Sequence, residues 1–341
     1  MNRRQNSTVI FLLTIAFFFA SLAAHRILFP PPAQAADTNP AVEQARHFFD
    51  SGNYNAAINA LNNAVAQNAG NAEAYYWLGR CYYELKDYKS AAAQAEKSTQ
   101  LDPKNSNYHH WLGTIYGGEA DRERSFSLAR KVKKEYEEAV RLNPSNLDAR
   151  RDLEEFDIQA PWIVGGSSDG AREQVDAIAA IDPIIGHLAR AEFDNSSLKK
   201  PDLAQNEFRL VLEAHPAQID PYIEIADVDR QLNRPDDMAI ALAAAEKVKP
   251  GDPRIEYFRA VQYILQKTQL STAEPLLKAY LASTPDRSGW PSHASARLWL
   301  GRLYEQEGKR QIAAEQYRAA LQLDPENKEA KEKLQKLEKG S

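Results

Sequence analysis

Seven prolines, at Pro103, Pro144, Pro183, Pro216, Pro250, Pro285 and Pro325, cut the chain at intervals of 41, 39, 33, 34, 35 and 40 residues. A period of that size belongs to a supersecondary unit copied along the chain with occasional insertions. Most of these prolines follow Asp or Asn, and the segments ahead of them are rich in Ala, Glu and Lys, all strong helix formers. No stretch alternates with period two long enough to read as a strand, so the chain is expected to be all-α. At 341 residues it exceeds the usual single-core size. A stack of repeats grows by nearest-neighbour interfaces, so one solenoid domain over 36–341 is the simplest expectation.

The cleanest unit runs from Ala72 to Asn105. Leu78 and Tyr82 lie four apart on one face of a first helix, while Gly79 and Ala91 are small where two antiparallel helices approach. Lys86 and Asp87 form the turn, and Pro103 ends the second helix. This pattern resembles the tetratricopeptide repeat. One period upstream the same slots hold Ala45, Phe48, Tyr54, Ala57, Leu61 and Ala64, and near the C-terminus they hold Leu300, Gly301, Tyr304, Ala313, Tyr317, Ala320 and Pro325. The resemblance implies an α-α superhelix, a right-handed solenoid. In register the chain supplies about eight helix pairs, closed by a polar capping helix over 327–339 with Ala330, Leu334 and Leu337 on one stripe.

Two units are stretched, at about 106–146 and 147–183. The first opens with Trp111-Leu112-Gly113-Thr114-Ile115-Tyr116-Gly117 and carries about seven extra residues around 119–130. The second holds the loop Gln159-Ala160-Pro161-Trp162-Ile163-Val164-Gly165-Gly166. Together they resemble a subset of exported bacterial tetratricopeptide proteins. Trp162, Ile163 and Val164 are expected to plug the gap left by the expansion, or else to contact a partner. Glycine pairs before a helix can cradle phosphate, but no lysine follows in P-loop register and no strand precedes, so no nucleotide is expected.

At the N-terminus Arg3 and Arg4 precede an apolar run over 8–24, and Ala33-Gln34-Ala35-Ala36 offers a small-residue cleavage site. Residues 1–35 thus read as an export signal, whose loss would take the net charge from −5 to −8. The alternative is an uncleaved anchor. Either way the repeats are expected in the periplasm or outside the cell, and membrane contact is expected only through that segment.

Catalytic and cofactor signals are sparse. Cys81 is the sole cysteine and falls where a small buried side chain belongs. His109 and His110 are adjacent, so they point about 100° apart and cannot share a metal ion from one helix face. No cofactor or metal is expected. The negative net charge disfavours nucleic acid, and the cluster Arg130-Lys131-Lys133-Lys134 is followed at once by Glu135, Glu137 and Glu138. No convergent acid, base and nucleophile can be argued, so an enzyme is the weakest of three readings.

The strongest reading is an adaptor. The resemblance implies that first helices line a concave groove, and its inward slots give Arg46 and Phe49, then Tyr76, Arg80 and Tyr83, then His110, with Arg302 in the eighth unit. Arginines interleaved with rings suit a protein or peptide ligand, acidic or ending in a carboxylate. The competing account of those arginines is neutralisation of Asp50, Glu73 and Glu84 on a solvated face. The dicarboxylate clamp of lysines and asparagines found in some relatives is not reproduced. A second function is a structural subunit of an envelope complex, using the convex face or the 159–170 loop. Trp77, Trp111 and Trp299 recur at one slot, where packing between repeats is expected.

Overall fold

The structure, a computed structural model, describes residues 39–283, 286 and 289–339. The expected signal or anchor over 1–35 and Pro285 lie outside the described residues. Seventeen α-helices, one 3-10 turn, one π turn and no strand are formed among the described residues. None of these helices is long and apolar enough to cross a membrane. The chain divides into two compact units, Met1–Glu207 and Phe208–Ser341, each described by itself.

In the first unit helices pair in chain order: α1 (Pro40–Asp50) with α2 (Tyr54–Gln67), α3 (Ala72–Glu84) with α4 (Tyr88–Leu101), α5 (Ser106–Glu123) with α6 (Phe126–Leu142), and α7 (Leu147–Gln159) with α8 (Ser168–Ile181). Then α9 (Pro183–Glu192) runs into a π turn over Phe193–Ser197, and α10 (Pro201–Ala214) follows. The starts are set by local chemistry. Asn39, Asn53, Asn71, Asp87, Asn105, Ser125, Asn146, Ser167 and Asp182 each turn a side-chain oxygen onto a free backbone N–H of the helix that follows. Each such cap is worth about 1 kcal/mol.

The second unit repeats the scheme with α11 (Asp220–Gln231), α12 (Pro235–Val248), α13 (Pro253–Gln266), α14 (Leu270–Ser283), α15 (His293–Gln306), α16 (Arg310–Leu323) and the terminal α17 (Lys328–Lys339). Helix α17 buries Ala330 and Leu337, half-buries Leu334 and is otherwise polar, as a cap must be. Eight helix pairs and a cap are therefore present among the described residues, and the all-α repeat fold read from the proline period is the one formed.

Small residues decide how closely partners approach. A Cβ on Gly79 would meet the Ala91 carbonyl oxygen at 3.3 Å and Ala95 N at 3.4 Å, so α3 lies almost on the backbone of α4. In the third and eighth pairs the position of Ala95 is taken by Tyr136 and Tyr317, whose rings lie over Gly113 and Gly301 instead. In the second pair the missing ring is replaced by Ile115 from the next repeat, 3.4 Å from that Cβ position.

Two expectations about length and linkage are refined. The seven or so added residues of the third pair lengthen both of its helices: α5 has 18 residues and α6 has 17, against 13 and 14 in the second pair. Pro183 also differs from the other ladder prolines among the described residues. It starts α9 directly after Asp182, which caps the helix through Ile184 N and Ile185 N at 2.8 and 3.1 Å. A proline at the first turn suits that place because its missing N–H would be unpaired anyway.

Gly301→Ala is expected to destabilise the protein by about 1–2 kcal/mol in urea unfolding, the overpacking against Tyr317 outweighing the helix propensity gained. The added turn of α5 carries Asp121, whose carboxyl burial pushes up to about 8 from an ordinary 3.8. A raised carboxyl favours the fold only while protonated, so its stability contribution fades between those two values as pH rises. Asp121→Asn should therefore melt like the parent near pH 3.5 and progressively higher than it toward pH 8 in thermal scans.

Candidate functional site

Arg80 lies at the centre of an aromatic cluster in the first unit. Its helix α3 also presents Tyr76, Trp77 and Tyr83, while α1 supplies Arg46 and Phe49, and α5 supplies Tyr108 and Trp111. The Arg80 guanidinium carbon stands 4.4 Å from the Trp77 ring centre, 4.2 Å from Trp111, 4.8 Å from Phe49 and 5.6 Å from Tyr76. The rings brace one another edge to face: Phe49 with Trp77 at 5.4 Å, Tyr76 with Trp111 at 6.3 Å and Tyr83 with Trp111 at 6.2 Å.

Arg80 is only 6% exposed, and its Nη1 donates a long 3.4 Å bond to the Tyr76 hydroxyl. Its Nε is buried with no hydrogen-bond partner, and no carboxylate pairs with it among the described residues. The solvated-face account of this arginine is thereby corrected: Glu73, Glu84 and Asp50 do not neutralise it. Four ring contacts at about 0.5–1 kcal/mol each offset part of a desolvation cost of several kcal/mol, roughly speaking. The result is a fixed cation whose electrostatic demand is only partly met.

A second copy of the same tetrapeptide shows what a complete arrangement looks like. Trp77-Leu78-Gly79-Arg80 is matched in the second unit by Trp299-Leu300-Gly301-Arg302. Arg302 stacks on Trp299 at 4.0 Å and reaches Glu329 at 3.3 Å. Glu329 is the second residue of α17; the corresponding residue after Arg80 is Asn107, the second of α5, which accepts a bond from Asn146 Nδ2 at 3.1 Å. A third stacked arginine, Arg254 over Trp290 at 4.8 Å, binds Asp252 and Asp220 at 2.9 and 2.6 Å. Of these three, Arg80 alone has no acid beside it among the described residues.

The other expected groove residues divide. Arg46 stacks on Trp77 at 5.4 Å and pairs with Glu43 at 2.9 Å, so it belongs to the edge of the cluster. Phe49, Tyr76 and Tyr83 are part of it, packed against neighbouring rings. His110 faces elsewhere: its Nε2 meets Asp152 Oδ2 of α7 at 2.8 Å. Arg302 has its own arrangement in the second unit. Trp77, Trp111 and Trp299 are buried between helices as expected, and the first two also sandwich the cation.

Neither histidine pair nor thiol offers further chemistry. His109 Nδ1 lies 2.7 Å from Glu135 Oε2, which raises its pKa above the ordinary value. Cys81 is wholly buried, and that burial pushes its thiol up to about 12, far from a reactive thiolate. Helix α7 hides an acidic set that no sequence period marks. Glu154, Glu155 and Asp157 are buried, and burial together with Glu192 and Asp152 drives the Glu155 carboxyl upward. Arg151 ties this set to α9, reaching Glu154 at 3.2 Å and Glu192 at 3.1 Å.

The 160–167 loop is built differently from the expected plug. Of the three apolar residues expected to plug the gap only Val164 is buried; Trp162 is 78% exposed and Ile163 38%. Lys133 Nζ donates to the Gly165 carbonyl at 2.6 Å and to Asp157 at 2.7 Å, and Arg130 Nη2 donates to the Ile163 carbonyl at 3.3 Å. Gly165 has φ +112°, and a Cβ on Gly166 would collide with the Ala160 carbonyl. Gly166→Ala should therefore distort the loop, seen as a shift in Trp162 emission and a loss of about 2 kcal/mol in unfolding free energy.

Paired helices, small residues at their closest approach and a polar cap define a helical-repeat protein of the solenoid class. The tetratricopeptide repeat family model matches residues 42–106 and 258–328, so these two stretches are similar to tetratricopeptide repeats. Among solved structures, yeast Tom70 aligns over 98% of this chain and 71% of its own, at 13% identity and a TM-score of 0.63. A thermophilic tetratricopeptide protein of Thermus thermophilus aligns over 60% of this chain and 97% of its own, at 20% identity and a TM-score of 0.43. A tetratricopeptide repeat protein of Parabacteroides merdae aligns over 87% and 96%, at 16% identity and 0.47. At these identities the likeness is one of fold. No curated protein matches the sequence. A fold of tetratricopeptide repeats suggests a protein-interaction scaffold.

Proposed function

We propose that this protein is an exported adaptor that binds a protein or peptide partner on the face formed by α1, α3 and α5, with Arg80 as anchor for a carboxylate and no chemistry of its own. The observation that carries the reading is the difference between Arg80 and Arg302. Both extend from the same Trp-Leu-Gly-Arg turn of helix, but one meets Glu329 and the other, among the described residues, meets aromatic rings and the Tyr76 hydroxyl but no acid. A buried guanidinium held in place by rings needs no reorganisation to receive an acid, and the rings supply apolar area for the neighbouring side chains. Export rests on the N-terminal sequence: two arginines, an apolar run and a small-residue site.

Because Arg80 is buried, reversing its charge would bury a carboxylate, and a neutral residue of similar length is the cleaner test. Arg80→Met should leave the melting temperature unchanged or raise it, since an incompletely paired buried charge is replaced by an apolar chain. The same variant should bind an acidic peptide, followed by calorimetric titration, about ten- to a hundredfold more weakly than the parent, the worth of one charge-assisted hydrogen bond. Undiminished binding, or a collapse of stability, would assign Arg80 to the fold and remove it from recognition. Comparing free and amidated C-termini of the peptide separates a terminal from a side-chain carboxylate.

A further inference from the structure

We propose that the Trp162 loop is a membrane-surface anchor for anionic lipid, independent of the Arg80 cluster. Trp162 is the one aromatic side chain among the large hydrophobics left exposed in the described residues, and Ile163 beside it is also open. Its exposure is built in. Two positions that demand glycine and two bonds, from Lys133 and Arg130 to loop carbonyls, fix the backbone in the conformation that turns the indole outward. Such fixing removes the entropy that an exposed aromatic would otherwise lose on insertion.

The surroundings select the occupant by charge. Helix α6, which holds the loop, exposes Arg130, Lys131 and Lys134 on the same stretch, although the chain as a whole carries −5. Arg130 bonds the Ile163 carbonyl and Lys131 lies over the Tyr116 ring at 4.8 Å; Glu119 feels the charge of Lys131, but neither cation is held in a close ion pair among the described residues. Glu137 is within 3.8 Å of Lys133, a lysine already committed to Asp157 and the loop. One indole and one aliphatic side chain offer far less apolar area than a stable protein interface needs, about 800 Å² on each partner. An indole beside cations is what the headgroup zone of an anionic bilayer accepts, because the ring is amphipathic and mobile lipids adjust to the positions of the charges. The expectation that membrane contact is confined to the N-terminal segment is thereby extended to a second site.

The test uses the full chain with vesicles of phosphatidylglycerol or of phosphatidylcholine, each brominated near the glycerol end of its acyl chains. Tryptophan emission of the parent is compared with that of Trp162→Tyr, a substitution at an exposed position that the fold tolerates. Since the readout is the indole at that position, attachment through any other segment does not imitate it. Bromine quenching on phosphatidylglycerol that is absent in Trp162→Tyr, weak on phosphatidylcholine and reversed by salt supports the proposal. Arg130→Gln with Lys134→Gln should lower the vesicle affinity read by that quenching about 25-fold, near fivefold for each cation. Equal quenching on both lipids, or in Trp162→Tyr, overturns it. Emission from Trp162 unmoved by either lipid also overturns it, and leaves a protein as the occupant of the loop.

Discussion

The close approach of each first helix to its second is the contact on which the rest depends. Where Gly79, Gly113 and Gly301 lie, no side chain keeps the two helices apart. What fills the space is either backbone, as at Ala91, or a tyrosine ring, as at Tyr136 and Tyr317. Both solutions fix the rotation of the first helix about its axis. In the second and eighth pairs that rotation carries the residue two before the glycine into the interface and puts the residue after it over the ring so placed. Trp77 and Arg80, and Trp299 and Arg302, are therefore positioned by the same packing contact that defines the repeat.

Electrostatics then distinguishes repeats that packing makes alike. Stacking on indole holds a guanidinium in place and covers one of its faces but does not cancel its charge. Arg302 receives a carboxylate from a neighbouring helix, and Arg254 receives one from a neighbouring helix and one from the cap of its own. Arg80 receives Trp111 and Phe49. A partly satisfied cation in a low-dielectric setting is costly to hold and strongly receptive to an anion, and these two properties have one physical origin.

The expanded pairs spend their extra residues in two ways. In α5 and α6 they lengthen both helices, which keeps every backbone group in hydrogen bonds and extends the pair by about a turn. Between α7 and α8 they form a loop whose backbone is satisfied by Lys133, Arg130 and its own turns, including Gly166 N to the Pro161 carbonyl at 3.3 Å. Lys133 links the two expansions, since it leaves α6 to bind both the loop and Asp157 of α7. The basic cluster on α6, which in the sequence looks like a charge-balanced helix surface, is thus divided between holding the loop and facing solvent.

Periodicity fixed the fold class, the pairing of helices and the terminal cap, because a spacing of small and aromatic residues at helical intervals admits few other packings. Phe49, Tyr76, Arg80 and Tyr83 could be assigned to one face for the same reason, and the repeated Trp-Leu-Gly-Arg turn was there to be read as a stacked pair. Spacing along one chain carries no information on which side chain a neighbouring repeat delivers. That Arg80 meets Trp111 while Arg302 meets Glu329, that His110 turns to Asp152, and that Trp162 faces outward while Val164 is buried, were decided by contacts between helices that the sequence separates by tens of residues. Local pattern determines which face a residue occupies; burial and partner charge, which set what that residue does, exist only once the repeats are packed.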